Sequence, residues 1–440
     1  MTLFENPIQI ANQVRDLNQA VARWQQRLRQ GDIDESGPFI GKPELTERDA
    51  FREIAERPEP EPVKRAWARW AFRLTEARVD ARLLANAAHA YRVELHVLDQ
   101  PERLEITLAE LWNRTLTRPL ERRLWLDFLN ANGTRLSRLS LEVPSRYDEI
   151  ARRAGFADAA FLLAPASNMA EWAERLLVAT DDIYRELVPS DAASWFDAAL
   201  ALTADQGWPA QCSPRSVQHL LGRREWFDGL ELPRRTLPSA IAGSSFARAL
   251  YQLGTALQHA ALPRQAPFVV AGDPYGLYRH TVGWLCAQLT TSARWQMDVL
   301  GLARTRALAQ ARAMGVSHLI ASRSAALGVL LWDGARGGSA AATRDFEALS
   351  HRALGHALPT GLAGFVPRLR ADAGQRLIGQ WLAAHWAREL IAQFDEDWYR
   401  NPSGIEAVRD RLSRILPTSV EKDEVANSLA TFAAELHNQL

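Results

Sequence analysis

The 440-residue chain has little of what marks a secreted, membrane-bound or nucleic-acid-binding protein. It has two cysteines, Cys212 and Cys286, far apart in sequence. That spacing argues against a disulfide framework or a zinc ribbon and leads us to expect buried thiols in a reducing compartment. It has no net charge: Lys+Arg and Asp+Glu are both 52. No whole-chain field therefore draws it to nucleic acid or an anionic bilayer, and neither is expected as a partner. Lysine is almost missing, with only Lys42, Lys64 and Lys422, and arginine supplies the other cations. We read this as the coding bias of a GC-rich genome. The opening stretch "MTLFENPIQIANQ" lacks the basic and apolar regions of a secretory signal. The longest apolar passage, around Leu319 to Trp332, is broken by Ser322, Arg323 and Ser324, so no membrane span is expected. A cytoplasmic protein follows as the expectation, and nothing in the composition sets an oligomeric state.

Catalytic signatures are missing as well. There is no G-x-G-x-x-G and no Walker loop, and no serine sits in G-x-S-x-G. Strands and helices do not alternate, which argues against a Rossmann or barrel fold. No cofactor is expected.

What is present is helical periodicity. Val14, Leu17, Val21, Trp24 and Leu28 recur at spacings of three and four, one apolar stripe on a helix. Gly and Pro break the pattern in "GDIDESGPFIGKPEL", and "RPEPEP", Arg57 to Pro62, reads as a stiff extended spacer. A helix is expected from Val63 to about Val93, with Trp67, Trp70 and Leu74 on one side. "VELHVLD", Val93 to Asp99, and "LSRLSLEV", Leu136 to Val143, are the best strand candidates. After Pro144 the chain reads as helices: "PSRYDEIARRAGF", a long one from Ala166 through Tyr184, and two more in "PSDAASWFDAALALTADQGW" and "SPRSVQHLLGRREWFDGL". Near the end, Thr418 and Glu421 suit a capping box before a stripe of Val425, Leu429, Phe432, Leu436 and Leu440. The fifteen tryptophans should mostly fill space between helices. The expected division is a helical N-terminal region, 1–143, and a larger helical region, 144–440.

One helix carries more than periodicity. "FARALYQLGTALQHAAL", Phe246 to Leu262, has the rhythm of L-H-E-L-G-H-A-L-H. Together with "DPYGLYRHTVGWL" and "FDEDWYRNPSGIEAVRDRL" further on, it resembles, over roughly Ala151 to Leu416, the helical zincin peptidases of the thimet oligopeptidase and oligoendopeptidase F family, in a shortened bacterial form. The resemblance implies a mainly α, zincin-like fold with a cleft and at most a small β-hairpin. It also implies a zinc site in which two histidines at i and i+4 bind the metal, a glutamate activates water and a second glutamate completes the ligands.

Position by position, the chemistry does not carry over. Tyr251 and Thr255 stand at the histidine positions and Gln252 at the glutamate. A phenol with an ordinary pKa of about 10, a neutral amide and a hydroxyl make a poor zinc site and no general base. From Pro274 to Met297 there is no carboxylate to serve as third ligand; His259 and His280 lie nearby but do not restore the spacing. The expectation is an inactive metallopeptidase-like protein that binds a peptide or protein partner, with Tyr251, Gln252, Thr255 and His259 in the former active-site cleft. Asp273, Tyr275, Tyr278, Arg279 and His280 are candidates for holding a peptide carbonyl or carboxylate; the alternative for Asp273 is a helix-capping loop. Glu347 and His351, at i and i+4, are the other metal candidates, and they leave open a divergent metal-dependent hydrolase. The acidic run Asp395, Glu396 and Asp397 is read first as a turn that pairs with arginines. A plain helical scaffold without zincin descent is the remaining alternative.

Overall fold

The computed structural model describes residues 7–30, 48–79, 92–96, 103–108, 119–188, 243–261, 268–413 and 419–440, with a few single positions between them. They form a mainly α-helical protein with one hairpin. In chain order the elements are α1 (Pro7–Gln30), α2 (Arg48–Glu56), α3 (Glu61–Val79), β1 (Arg92–His96), β2 (Arg103–Thr107), α4 (Arg122–Arg153), α5 (Ala159–Leu163), α6 (Met169–Ala179) and α7 (Asp181–Leu187). There follow α8 (Gly243–Ala261), α9 (Phe268–Ala271), α10 (Leu277–Ala287), α11 (Ala293–Leu300), α12 (Arg304–Arg336), α13 (Ser339–Leu354), α14 (Ala373–Phe394), α15 (Pro402–Leu412) and α16 (Lys422–Gln439).

The chain divides into two compact units that interleave in sequence. Unit 1 comprises 1–164, 267–275 and 327–371; unit 2 comprises 165–266, 276–326 and 372–440. The single cut expected at 143/144 falls inside α4, so the sequence-based boundary is corrected.

Unit 1 is built on the stripe read from the sequence. Val14, Leu17, Val21, Trp24 and Leu28 are buried along α1, in one core with Trp67, Trp70 and Phe72 of α3 and Tyr147 and Ile150 of α4. Trp70 Nε1 donates to the carbonyl of Val269 at 3.1 Å. Partly buried ion pairs hold the same unit: Arg336 donates to Asp148 and Asp158, each at 2.7 Å.

Of the two strand candidates, the first holds over residues 93–96, and its remaining residues, 97–99, lie outside the described residues. Arg92–His96 pairs antiparallel with Arg103–Thr107, Glu94 opposite Glu105. The second, 136–143, lies within α4, which also runs through Pro144 where a new helix was expected. Its burial follows the helical period: Gly133, Leu136, Ser137, Leu141, Pro144 and Tyr147 face inward. Eight residues are too few to separate the two periods, and burial on both sides decides for the helix. The "RPEPEP" spacer is also shorter than expected, because Glu61 and Pro62 open α3, where proline's missing N–H costs no hydrogen bond.

In unit 2, α10 packs between α8 and α14, and α14 packs on α16. The core joins Phe246, Leu250 and Leu257 of α8, Val282 and Leu285 of α10, and Trp386 and Leu390 of α14. The single helix expected from Ala166 is two, broken at Thr180. At the break Thr180 Oγ1 donates to the Leu176 carbonyl at 2.8 Å, and Arg323 of α12 donates to the Leu177 carbonyl at 3.0 Å, to Thr180 Oγ1 at 2.8 Å and to Asp181 Oδ1 at 3.0 Å. Its guanidinium also lies 4.3 Å from the centroid of the Tyr184 ring. In α16, Val425, Leu429, Phe432 and Leu436 are buried as expected, but Glu421 is itself the N-cap residue and makes no side-chain cap bond. Thr418 and the two helices read between Pro189 and Leu230 lie outside the described residues. By length and composition α12 could cross a bilayer, yet 67% of its apolar window is buried inside the protein.

Candidate functional site

The degenerate motif sits on α8, which forms because Phe246, Ala249, Leu250 and Leu257 repeat on one buried face. Gly254 lets α10 come against it: a methyl group there would stand 2.3 Å from the Val282 carbonyl oxygen. Beside it, Tyr251 and Thr255 lie over Gly283 of α10, where a methyl group would meet Tyr251 Cδ2 at 2.8 Å and Thr255 Cγ2 at 3.1 Å. The glycine kept from the motif thus serves helix packing.

Two of the motif side chains are already engaged. Tyr251 Oη is hydrogen-bonded to His280 Nδ1, and the two rings stack at 6.2 Å and 30°. Thr255 Oγ1 donates to the Gln252 carbonyl at 2.8 Å. Gln252 is half-buried, and the side chain of His259 lies outside the described residues.

His280 has no exposed surface, and its Nε2 lies 3.6 Å from Asp372 Oδ2 at the start of α14. The carboxylate favours the tautomer with hydrogen on Nε2, so Nδ1 accepts from the Tyr251 phenol. Asp372 also accepts from Arg376 Nε at 3.1 Å, and the Arg376 guanidinium lies 5.8 Å from the Tyr251 ring centroid. Trp284 Nε1 donates to the Arg376 carbonyl at 3.1 Å, and its ring stands edge-on to Tyr251 at 5.4 Å. The outcome is a polar group, Tyr251–His280–Asp372–Arg376, that joins three helices of unit 2. It can hold a proton between phenol and imidazole. It does not fit zinc: both His280 nitrogens face protein groups, and Tyr251, Gln252 and Thr255 supply neither imidazole nor carboxylate.

The five residues read as one ligand-holding group divide between the two units. Asp273 and Tyr275 belong to unit 1, and Tyr278, Arg279 and His280 to unit 2. The alternative holds only for the loop: α10 has Gly276 as its N-cap residue with no side-chain cap bond, and Asp273 turns the loop before it. Asp273 Oδ1 accepts from the Tyr275 N–H at 2.9 Å, and its Oδ2 accepts from buried Arg69 at 2.9 Å. Tyr278 stacks on Trp386 at 5.8 Å and 22°, and burial pushes its phenol up to about 12. Glu347 and His351 are both exposed on α13, and no group of three metal-ligating side chains occurs among the described residues. The acidic run forms the expected turn, with the Asp395 carbonyl accepting from Trp398 N at 3.1 Å; Asn401 then caps α15 through the Ser403 N–H.

Sequence reasoning missed Asp372, Arg376 and Trp284. Asp372 and Arg376 stand at i and i+4 beside a helix start, a detectable signal that no recognised motif brought forward. No protein-family model matches the chain, and no curated protein matches it significantly.

Proposed function

We propose that this protein acts by binding a peptide or protein partner, and that it is a metallopeptidase-like chain without zinc-dependent hydrolysis. One observation carries the reading. Tyr251 and Thr255, at the positions the zincin resemblance assigns to zinc ligands, are turned onto Gly283, His280 and their own helix. The peptide-binding part rests on the resemblance itself, in which a cleft beside this helix receives a peptide. A cytoplasmic location goes with this reading, supported by the buried free thiol of Cys286.

The test is a metal and activity assay on the purified full chain. We expect far less than one zinc per chain, no cleavage of a fluorogenic peptide library, and peptide or partner capture that a chelator leaves unchanged. Stoichiometric zinc with chelator-sensitive cleavage overturns the proposal and favours the divergent hydrolase.

A further inference from the structure

Residues of α11, α14 and α16, with the turn at 288–291, line a cavity of about 340 Å³ that lies wholly within unit 2. That volume is at the small end of the range for small-molecule sites, roughly 300–1,000 Å³. It is about twice the volume of an apolar cavity that admits benzene, roughly 150 Å³. Leu289, Trp398, Phe432 and Leu436 give the cavity a buried apolar wall, two of its members aromatic. Ile391 also lines it and is 42% exposed, so water wets an apolar side chain there that a ligand would cover.

The uncharged polar side chains on the wall have partners inside the unit. Gln288 donates to the Ala383 carbonyl at 3.0 Å, and Thr291 Oγ1 donates to the Gln288 carbonyl at 2.8 Å. Ser292 Oγ accepts from Trp295 N at 3.1 Å, and Tyr399 Oη donates to Asp298 Oδ2 at 3.3 Å. The charges on the wall cancel, Arg294 and Arg388 against Glu396 and Glu435. Asp298 is shared by Arg294 at 2.8 Å and Arg400 at 3.5 Å, which keeps that balance. Arg388 and Glu396 are exposed, so water and salt screen them. Burial pushes the His318 pKa down to about 4, so this ring adds no charge near pH 7. A cation or an anion entering the cavity would give up hydration and meet both signs in equal number. A neutral ring needs no counter-charge and can lie against Trp398 and Phe432.

We propose that this cavity binds a small neutral molecule built on a fused aromatic bicycle. Its rings cover Ile391 and pack against Leu289, Trp398 and Phe432, and the four charged side chains stay in water around it. This inference does not rest on the peptide-binding reading, because it concerns different residues and a different class of ligand.

Calorimetric titration of the full chain with three compounds that share one ring system tests it: neutral indole, cationic tryptamine and anionic indole-3-acetate. Indole should saturate with a Kd of about 0.1–10 mM, the range open to a ligand of some nine heavy atoms. Both charged analogues should bind more weakly than indole, although each is larger. Glu435→Gln and Arg388→Gln should leave the affinity for indole unchanged. Ile391→Asn, at an exposed position where the fold should tolerate it, should weaken indole about fivefold by removing apolar wall. Ala387→Trp, which fills the cavity, should abolish binding at an unchanged helical signal; should that variant not fold, Ile391→Asn decides alone. No saturable indole binding, tighter binding of tryptamine or indole-3-acetate than of indole, or unchanged affinity in Ile391→Asn overturns the proposal.

Discussion

Tyr251 of α8 and His280 of α10 meet phenol to imidazole, Oη against Nδ1, across a helix contact that glycines bring close. Removing the hydroxyl leaves a buried ring nitrogen without its donor. Tyr251→Phe should therefore cost about 1–2 kcal/mol. It should lower the melting temperature without changing helical content in circular dichroism. An unchanged melting temperature would show that the pair contributes no stability.

Gly254→Ala should be more damaging, although alanine favours helix. The added methyl would lie 2.3 Å from the Val282 oxygen, 2.8 Å from its carbonyl carbon and 2.9 Å from Gly283 Cα, all backbone that cannot rotate away. Overpacking of this kind costs about 1–3 kcal/mol or more. Gly334→Ala, where a methyl group meets nothing within 4 Å, is the control and should be neutral or slightly stabilising. Similar behaviour of the two variants in a denaturant titration would contradict the close packing.

Restoring the motif tests the donor set directly. The triple variant Tyr251→His, Gln252→Glu, Thr255→His recreates two imidazoles and a base but no third ligand. It should bind zinc weakly, well below one ion per chain at micromolar metal, and should melt below the parent because the contacts to His280 and Gly283 are lost. Tight, stoichiometric zinc would mean that a third ligand exists near α8.

His318 should make stability depend on pH. Its folded pKa is about 4, lowered by burial, against about 6.5 when unfolded. Between those values the unfolded chain takes up a proton that the folded one refuses. The contribution is therefore complete above about pH 6.5 and is lost as pH falls toward 4, amounting to about 2 kcal/mol by pH 5. The drop in melting temperature from pH 7 to pH 5 should shrink in His318→Phe. An equal drop in both proteins would assign the effect elsewhere.

Cys286 should resist thiol reagents. It is 4% exposed, and burial pushes its pKa up to about 12, so almost no thiolate forms at pH 8. Alkylation mapped by peptide mass spectrometry should label Cys286 only after denaturant is added. Rapid labelling of the native chain would place it at a surface.

Much of the helical content was legible because α1 and α16 carry long, regular apolar stripes, buried as read except for the half-buried Leu440 just past α16. The breaks were harder. At the Thr180 break, Arg323, more than 140 residues later, donates to the Leu177 carbonyl, and no local pattern encodes that contact. Pro144 suits a helix start, yet α4 continues through it on the strength of Leu136, Leu141 and Tyr147 facing inward. At the site, the sequence showed which groups were absent from Tyr251, Gln252 and Thr255. It did not show what they touch instead, because Gly283, His280 and Asp372 come from other helices.

The interleaving of the two units bears on how the chain can be made. Unit 1 begins with the first residues but takes its last piece from 327–371, and unit 2 closes only with 372–440. At roughly 5–20 residues per second, a ribosome needs about 10–30 s to travel from residue 164 to residue 327. Through that interval the apolar faces of α1, α3 and α4 exist before all of their partners do. No fragment ending before residue 371 contains all of unit 1, and unit 2 needs the chain to 440, so truncations in the middle of the gene should yield chains that depend on chaperones or are degraded.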